Sequence, residues 1–329
     1  SGIIAAGGTV KPGGVIPTPG VAYLTRNSES AAGVVISASH NPFEYNGFKL
    51  FSGDGFKFSE AEENEIEEKL LKAEENLSIP DFEPPVVPEA GNIKYINFLK
   101  DIFFDPEKIN GIDLVVDCSN GATSKLVPNL FKDIGIHADF IFTEPDGKNI
   151  NLECGSQHTE FLSRKVIEKG AALGLAFDGD GDRLIAVDEN GVTLTGDQII
   201  TIYAKMLRDR NELKNSVVVT TFMSNIGLGT ALGEMGISHE KTGVGDRPVM
   251  ERMREIGSSL GGEESGHIIF SNNHTTGDGI ISAIQLLNAM VFFGKPLSQL
   301  AEFMTIYPQI LINVPVKNKP EISEMPEIR

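Results

Sequence analysis

The sequence predicts an α/β protein built from successive sheet-and-helix units, and three observations point there. Short runs rich in valine and isoleucine alternate with helical patterns along all 329 residues. The segments that follow those runs concentrate serine, aspartate, glycine and histidine, as loops at strand ends do. With 40 % hydrophobic and 22 % charged residues, the chain can bury a large core but exceeds one ordinary domain.

The first strand is "AAGVVIS" (31–37), read as buried because it is short, apolar and β-branched. Behind it come Ser39, His40, Asn41 and Pro42. Pro42 biases Asn41 away from helical geometry, so Ser39 and His40 fall in an extended or turning loop. A reactive serine and a turn in which the hydroxyl caps its own backbone both fit this stretch. "SEAEENEIEEKLLKAEENL" (59–77) reads as a helix with Ser59 and Glu62 as a capping box and Ile66, Leu70, Ala73 and Leu77 on one face. "IPDFEPPVVPEAG" (79–91) has the proline density of a linker. A second unit follows near Lys94, with strands at 112–118 and 173–177. A third begins near Asp197, with a strand at 216–222 and a helix at 279–293. A strand at 309–316, "QILINVPV", looks like the start of a fourth unit.

The formal net charge of −18 argues against nucleic acid or an anionic membrane as partner, but leaves room for a phosphorylated small substrate. No apolar run is long enough to span a bilayer and none resembles a secretory signal. Cys118 and Cys154 form no C-x-x-C pair, which fits a reducing cytoplasm. The chain opens without Met, inside what reads as a helix-to-strand passage, so preceding residues are expected.

The strongest chemical signal is "LGLAFDGDGDRLIAVDENG" (173–191). Asp178, Asp180 and Asp182 alternate with glycines just after a strand, so three carboxylates can converge. Three like charges that close need a cation, and a hard divalent ion such as Mg²⁺ or Ca²⁺ suits them. Arg183 can balance charge or meet a phosphate. An EF-hand calcium loop matches several of these positions, but Arg183 stands where that loop needs glycine, and strand-like runs flank it where helices are required. In "LGGEESGHIIF" (260–270), Glu263, Ser265 and His267 offer carboxylate, hydroxyl and imidazole to sugar hydroxyls or to proton transfer, although a plain hairpin turn fits too. In "TGVGDRPVMERM" (242–253), Gly245, Asp246 and Arg247 open a helix, where an anion could bind or Asp246 could cap.

These four clusters, in this order, resemble the α-D-phosphohexomutase family across essentially the whole chain. The resemblance implies three-layer α/β/α domains with mixed sheets and an active site in the cleft between domains. The implied division is 1–85 (first domain, lacking its start), 86–192, 193–305, and 306–329 as the beginning of a truncated phosphate-binding domain. It implies Ser39 as phosphoserine and, with Asp178, Asp180 and Asp182, as metal ligand to one Mg²⁺. It also implies His40, Lys49 in "NGFK", Arg183 and His267 as catalytic, and Gly245, Asp246, Arg247, Glu263 and Ser265 as substrate-binding. "NINLECGSQH" (149–158), "VGDRPVMERM" and "TTGDGIISAIQLL" (275–287) look like the family's bacterial amino-sugar branch. That branch interconverts glucosamine 6-phosphate and glucosamine 1-phosphate through a 1,6-bisphosphate, for UDP-N-acetylglucosamine and the cell wall. Glucosamine or glucose 1,6-bisphosphate is then the implied activator, and a homodimer is left open. Glu264, where this branch usually has glutamine, keeps phosphomannomutase or phosphoglucomutase activity as the alternative. From another class, a calcium-binding module built on the aspartate loop is the competing reading.

Overall fold

The computed structural model describes residues 2–72, 90–103, 106–109, 111–312 and 315. Short α1 (Gly2–Ala5) and α2 (Thr18–Arg26) lead into an antiparallel pair, β1 (Ala32–Ile36) and β2 (Phe48–Ser52), with Val35 opposite Lys49. Strand alternation turns Val35 and Phe51 onto Ala22 of α2 and leaves Val34, Ile36 and Phe48 facing out. β1 is thus half-buried rather than buried, because among the described residues a helix covers one face of a two-stranded sheet. α3 (Glu60–Lys72) begins at the expected box: Ser59 N donates to Glu62 Oε2 (2.8 Å) and Glu62 N to Ser59 Oγ (3.3 Å). Its apolar face is not buried, and Leu70 and Leu71 are exposed. Ala73, Leu77 and most of the proline-rich stretch lie outside the described residues.

The second sheet follows α4 (Ala90–Lys100) and α5 (Pro106–Ile109). Its strands are β3 (Leu114–Asp117), β4 (Ala138–Ile141), β5 (Leu173–Phe177), β6 (Leu184–Asp188) and β7 (Thr193–Leu194), in the order β4-β3-β5-β6-β7. Helices α6 (Thr123–Asp133) and α7 (Glu160–Lys169) make the crossovers among its three parallel strands; β6 and β7 add antiparallel. β7 carries this sheet two residues beyond 192.

The third unit opens with α8 (Gly196–Asp209), whose Thr195 and Gln198 form a capping box. It continues through β8 (Val217–Thr221), α9 (Ile226–Glu234), β9 (Ser238–Thr242), α10 (Asp246–Ile256), β10 (Leu260–Gly262), β11 (Ile268–Phe270), α11 (Gly279–Phe293) and α12 (Leu297–Ala301). Sheet order is β11-β10-β8-β9, parallel except for the β10–β11 hairpin. α11 is buried from Gly279 to Met290, which its all-round apolar sequence demands. It packs with Tyr95 and Leu99 of α4, Leu184 of β6 and Tyr203 of α8 in one continuous core shared by the second and third units. The strand expected at 309–316 is absent over 309–312; the remainder, apart from residue 315, is outside the described residues.

Candidate active site

Pairing of β5 with β6, Phe177 opposite Leu184, forces residues 178–183 into a tight connection. Gly181 turns at φ 71°, a left-handed conformation that glycine adopts without strain. Ligand oxygens of Asp178, Asp180 and Asp182 come within 4.8 Å of one another, and the three residues are 0 %, 4 % and 4 % exposed. Asp180 Oδ1 and Asp182 Oδ1 are buried with no hydrogen-bond partner among the described residues. Buried orphan carboxylate oxygens call for a cation, and an all-oxygen donor set suits Mg²⁺. The strands on both sides rule out an EF-hand, whose helices the chain does not have here.

The first unit brings its groups to this loop. Ser39 Oγ donates to Asp178 Oδ2 at 2.7 Å, so its hydroxyl does not cap its own backbone; Ser37 Oγ does the capping by accepting from Ser39 N (2.9 Å). Ser39 is held at φ 55°, a left-handed conformation that costs a non-glycine residue on the order of 1 kcal/mol. Lys49 sends its stem inward from β2 and places Nζ 2.6 Å from Asp180 Oδ2 and 2.8 Å from Asp182 Oδ2. Thr18 also donates its hydroxyl to Asp180 Oδ2 from the first turn of α2, and its N–H bonds the Asp180 carbonyl at 2.8 Å. Burial, then the charges of Asp182 and Asp180, push Asp178 well above the usual carboxylate range. Burial acts the same way on Asp182, yet Lys49, His267 and Arg183 together hold it far below that range. Burial would lower Lys49, but the two aspartates outweigh it and keep the ammonium protonated.

From the third unit, His267 Nε2 stands 4.0 Å from Asp182 and 3.7 Å from Asp246, and both its ring nitrogens are buried without a hydrogen-bond partner among the described residues. Asp246 is at the first helical position of α10 and makes no side-chain cap; its carboxylate pairs with Lys57 instead. Its pKa falls to about 2: burial opposes this, but His267 and Lys57 outweigh it. A cavity of about 380 Å³ lies beside these groups, lined by Lys49, Lys57, Gly245, Asp246 and Arg247 among others.

Not every expected residue points there freely. Glu263 Oε1 accepts from Gly245 N at 3.1 Å, joining the two loops. Arg247 pairs with Glu63 of α3 at 2.6 Å. Ser265 is half-buried and, among the described residues, makes no hydrogen bond to the three aspartates. Arg183 donates its backbone N–H to Asp178 Oδ1 (3.1 Å), while its side-chain Nε lies 3.9 Å from Asp182. His40 is half-buried beside the cluster; burial, then Arg183, lower its pKa against the pull of Asp182 and Asp180. Sequence reasoning missed Thr18 and Lys57. Thr18 lies between two prolines and carries no local signal, and Lys57, eight residues beyond Lys49, enters the site through its pairing with the distant Asp246.

Family models for phosphoglucomutase/phosphomannomutase α/β/α domains I, II and III match residues 1–77, 93–191 and 195–307. The chain belongs to this family, the α-D-phosphohexomutases, magnesium-dependent intramolecular phosphotransferases of the isomerase class. A curated phosphoglucosamine mutase of Syntrophobacter fumaroxidans is 50 % identical over 335 residues, covering 100 % of this chain and 74 % of the relative. A crystal structure of a phosphoglucomutase/phosphomannomutase family protein from Burkholderia thailandensis superposes with TM-score 0.76 at 25 % identity, covering 92 % of this chain and 66 % of that one. N-acetylphosphoglucosamine mutase from Aspergillus fumigatus, solved with GlcNAc-6P and magnesium, shares the fold at TM-score 0.66 and 18 % identity, covering 93 % and 83 %.

Proposed function

We propose that this chain carries the catalytic centre of a phosphoglucosamine mutase, interconverting glucosamine 6-phosphate and glucosamine 1-phosphate. The observation that carries the reading is Ser39 Oγ at 2.7 Å from Asp178 within a buried three-aspartate loop. A curated relative, 50 % identical over 335 residues and covered to 74 % of its own length, bears that activity's name.

In this reading Ser39 carries the phosphoryl group. The bond from Ser39 Oγ to phosphorus breaks as a sugar hydroxyl oxygen forms its own. The sugar hydroxyl gives its proton to His267, the freed Ser39 oxygen takes one up through its 2.7 Å contact with Asp178, and Ser39 is left as alcohol. The sugar becomes a 1,6-bisphosphate, turns over, and returns its other phosphoryl group to Ser39. Such transfers pass through loose, charge-rich transition states, so positioning and positive charge supply most of the acceleration. Asp178, Asp180, Asp182 and the phosphorylated Ser39 would hold Mg²⁺, which supplies Lewis-acid neutralisation of the transferring group. Lys49, kept protonated by Asp180 and Asp182, contributes charge and not base catalysis. His267, with free ring nitrogens against Asp182 and Asp246, is the group to take and return the hydroxyl proton. Arg183 and His40 flank the phosphoryl group. The Gly245–Arg247 turn, which lines the adjoining cavity, contacts the sugar phosphate together with Glu263 and Ser265 of the neighbouring loop.

The domain division at 85, 192 and 305 belongs to the same reading, as does glucosamine or glucose 1,6-bisphosphate as activator. A reducing cytoplasm is consistent with Cys118 and Cys154, both free and buried. The deciding experiment is a product assay on magnesium-loaded enzyme with glucosamine 6-phosphate and glucose 6-phosphate in parallel, alongside intact mass before and after phosphatase. Glucosamine 1-phosphate formed faster, with a phosphate-sized mass loss mapped to Ser39, is the expected result. Faster turnover of the glucose ester would favour the hexose-mutase alternative, and no phosphoserine at all would sink the mechanism.

A further inference from the structure

Ser39 is strained, and something must hold it. Its N–H is satisfied by Ser37, but the loop also has to fix its carbonyls and its angle to the aspartates. Both tasks converge on a residue from the second unit. Asn151 Nδ2 donates to Ser39 O at 2.9 Å and to Asn41 O at 2.9 Å. Both partners are carbonyl oxygens, which only the NH₂ end of the amide can face, so the side chain has one orientation here. Asn151 is 9 % exposed and bridges 112 residues of sequence to Ser39.

Asn151 is itself anchored from behind. It adopts φ 58°, a left-handed conformation that asparagine tolerates better than most residues. Its N–H donates to Ser119 O at 3.0 Å. Ser119, also at positive φ, donates its N–H to Asp117 Oδ1 (2.7 Å), and Gly155 N donates to Asp117 Oδ2 (2.8 Å). Asp117 is wholly buried at the end of β3. A rigid line therefore runs from β3 through Asp117, Ser119 and Asn151 to the backbone of the nucleophile. On the other side of the same contact, a Cβ at Gly179 would meet Ser39 O at 2.6 Å and Asn151 Nδ2 at 2.7 Å. Ser39 O, the Asn151 amide and the aspartate loop are in mutual contact, with no room for slack.

We infer that Asn151 is a positioning residue for phosphoryl transfer: its amide clamps the Ser39–Asn41 backbone from the second unit and fixes Ser39 Oγ against Asp178. It touches no substrate atom and acts through Ser39. The inference rests on the reading of Ser39 as phosphoryl carrier. Displacement of a reacting group by about 1 Å costs on the order of 100-fold in rate without a matching loss of substrate binding.

Two variants of the full-length, magnesium-loaded enzyme test this. Asn151→Asp keeps shape and tolerance of positive φ but turns an oxygen towards the two carbonyls. Asn151→Gly keeps the backbone conformation and removes the donors without adding charge. In each, kcat for glucosamine 6-phosphate, its KM, the rate at which added 1,6-bisphosphate phosphorylates Ser39 (by intact mass) and the melting temperature are measured. The expected pattern is kcat and the Ser39 phosphorylation rate both reduced about 100-fold, KM within about threefold of the parent, in both variants. Either variant keeping kcat within threefold overturns the inference. So does a loss confined to KM, or one that follows melting temperature while the phosphorylation rate stays at the parent's. A parent enzyme that neither turns over nor becomes phosphorylated refutes the functional reading instead, so the two failures are told apart.

Discussion

Tyr95 donates its phenolic hydrogen to Asp278 Oδ2 at 2.5 Å, tying α4 to the first turn of α11, with both residues fully buried. The other oxygen of Asp278 accepts from Ile280 N (2.9 Å) and Ile281 N (3.1 Å), so one carboxylate caps the helix and receives the tyrosine.

A pH-dependent stability follows from that carboxylate. Burial raises Asp278 to about 6 from 3.8, against the lowering pull of Tyr95 and the two amides. The folded protein thus binds more protons than the unfolded chain between about pH 4 and 6, and this group's contribution falls as pH rises through that window. Tyr95→Phe withdraws a donor that the ionised form needs most. Its destabilisation in urea unfolding is expected at about 1–3 kcal/mol at pH 8 and clearly less at pH 5, where Asp278 is protonated. Equal penalties at the two pH values would contradict the assignment.

Ser39→Ala is expected to lower mutase turnover by several orders of magnitude and leave melting within a few degrees, since a loop hydroxyl contributes little stability. Steady-state kinetics with the bisphosphate present check it. Retention of more than about a tenth of parental kcat would show that another group carries the phosphoryl.

Asp180→Asn removes one negative charge from the loop, together with an acceptor used by both Thr18 and Lys49. The Mg²⁺-induced rise in melting temperature should shrink or vanish, while the metal-free protein is perturbed less because repulsion is relieved. Thermal melting across a magnesium titration reads this directly. A parent protein whose melting ignores saturating Mg²⁺ would argue that the aspartates hold no such ion.

Gly279→Ala tests the seat of that loop. Gly279 N donates to Gly181 O at 3.0 Å, and a Cβ there would meet Arg183 O at 2.4 Å. Since backbone cannot yield as a side-chain tip does, the aspartate loop must shift, weakening Mg²⁺ binding about tenfold or more. Unchanged magnesium affinity, measured by calorimetry, would mean the contact is slack.

Much of this was readable in the chain. The aspartate loop announced itself because glycine alternation between two apolar runs leaves a hairpin few other conformations, and α11 was legible end to end from its apolar length and its Asp278–Gly294 boundaries. Where reading failed, the cause was long-range. Leu70 of α3 looked like a core residue by period, yet it is 68 % exposed. For Asp246 the sequence left helix capping and anion binding equally open, and Lys57, 189 residues away, claims its carboxylate. Thr18 and Asn151 gain meaning only through partners more than 100 residues distant, and no local pattern encodes such pairs.

The aspartate loop begins in the sheet of the second unit, yet its backbone is held by the third: Leu184 N donates to Gly266 O at 3.1 Å, and Gly279 N reaches Gly181. Gly266 belongs to the loop assigned here to sugar contact. A chimaera that imports a foreign third unit to change sugar choice would therefore also re-seat Asp178, Asp180 and Asp182, the residues proposed to hold the metal. In this architecture substrate preference and cofactor affinity are not separable modules, and exchanging one by recombination should cost the other unless the Gly181–Gly279 and Leu184–Gly266 seams are transplanted as matched pairs.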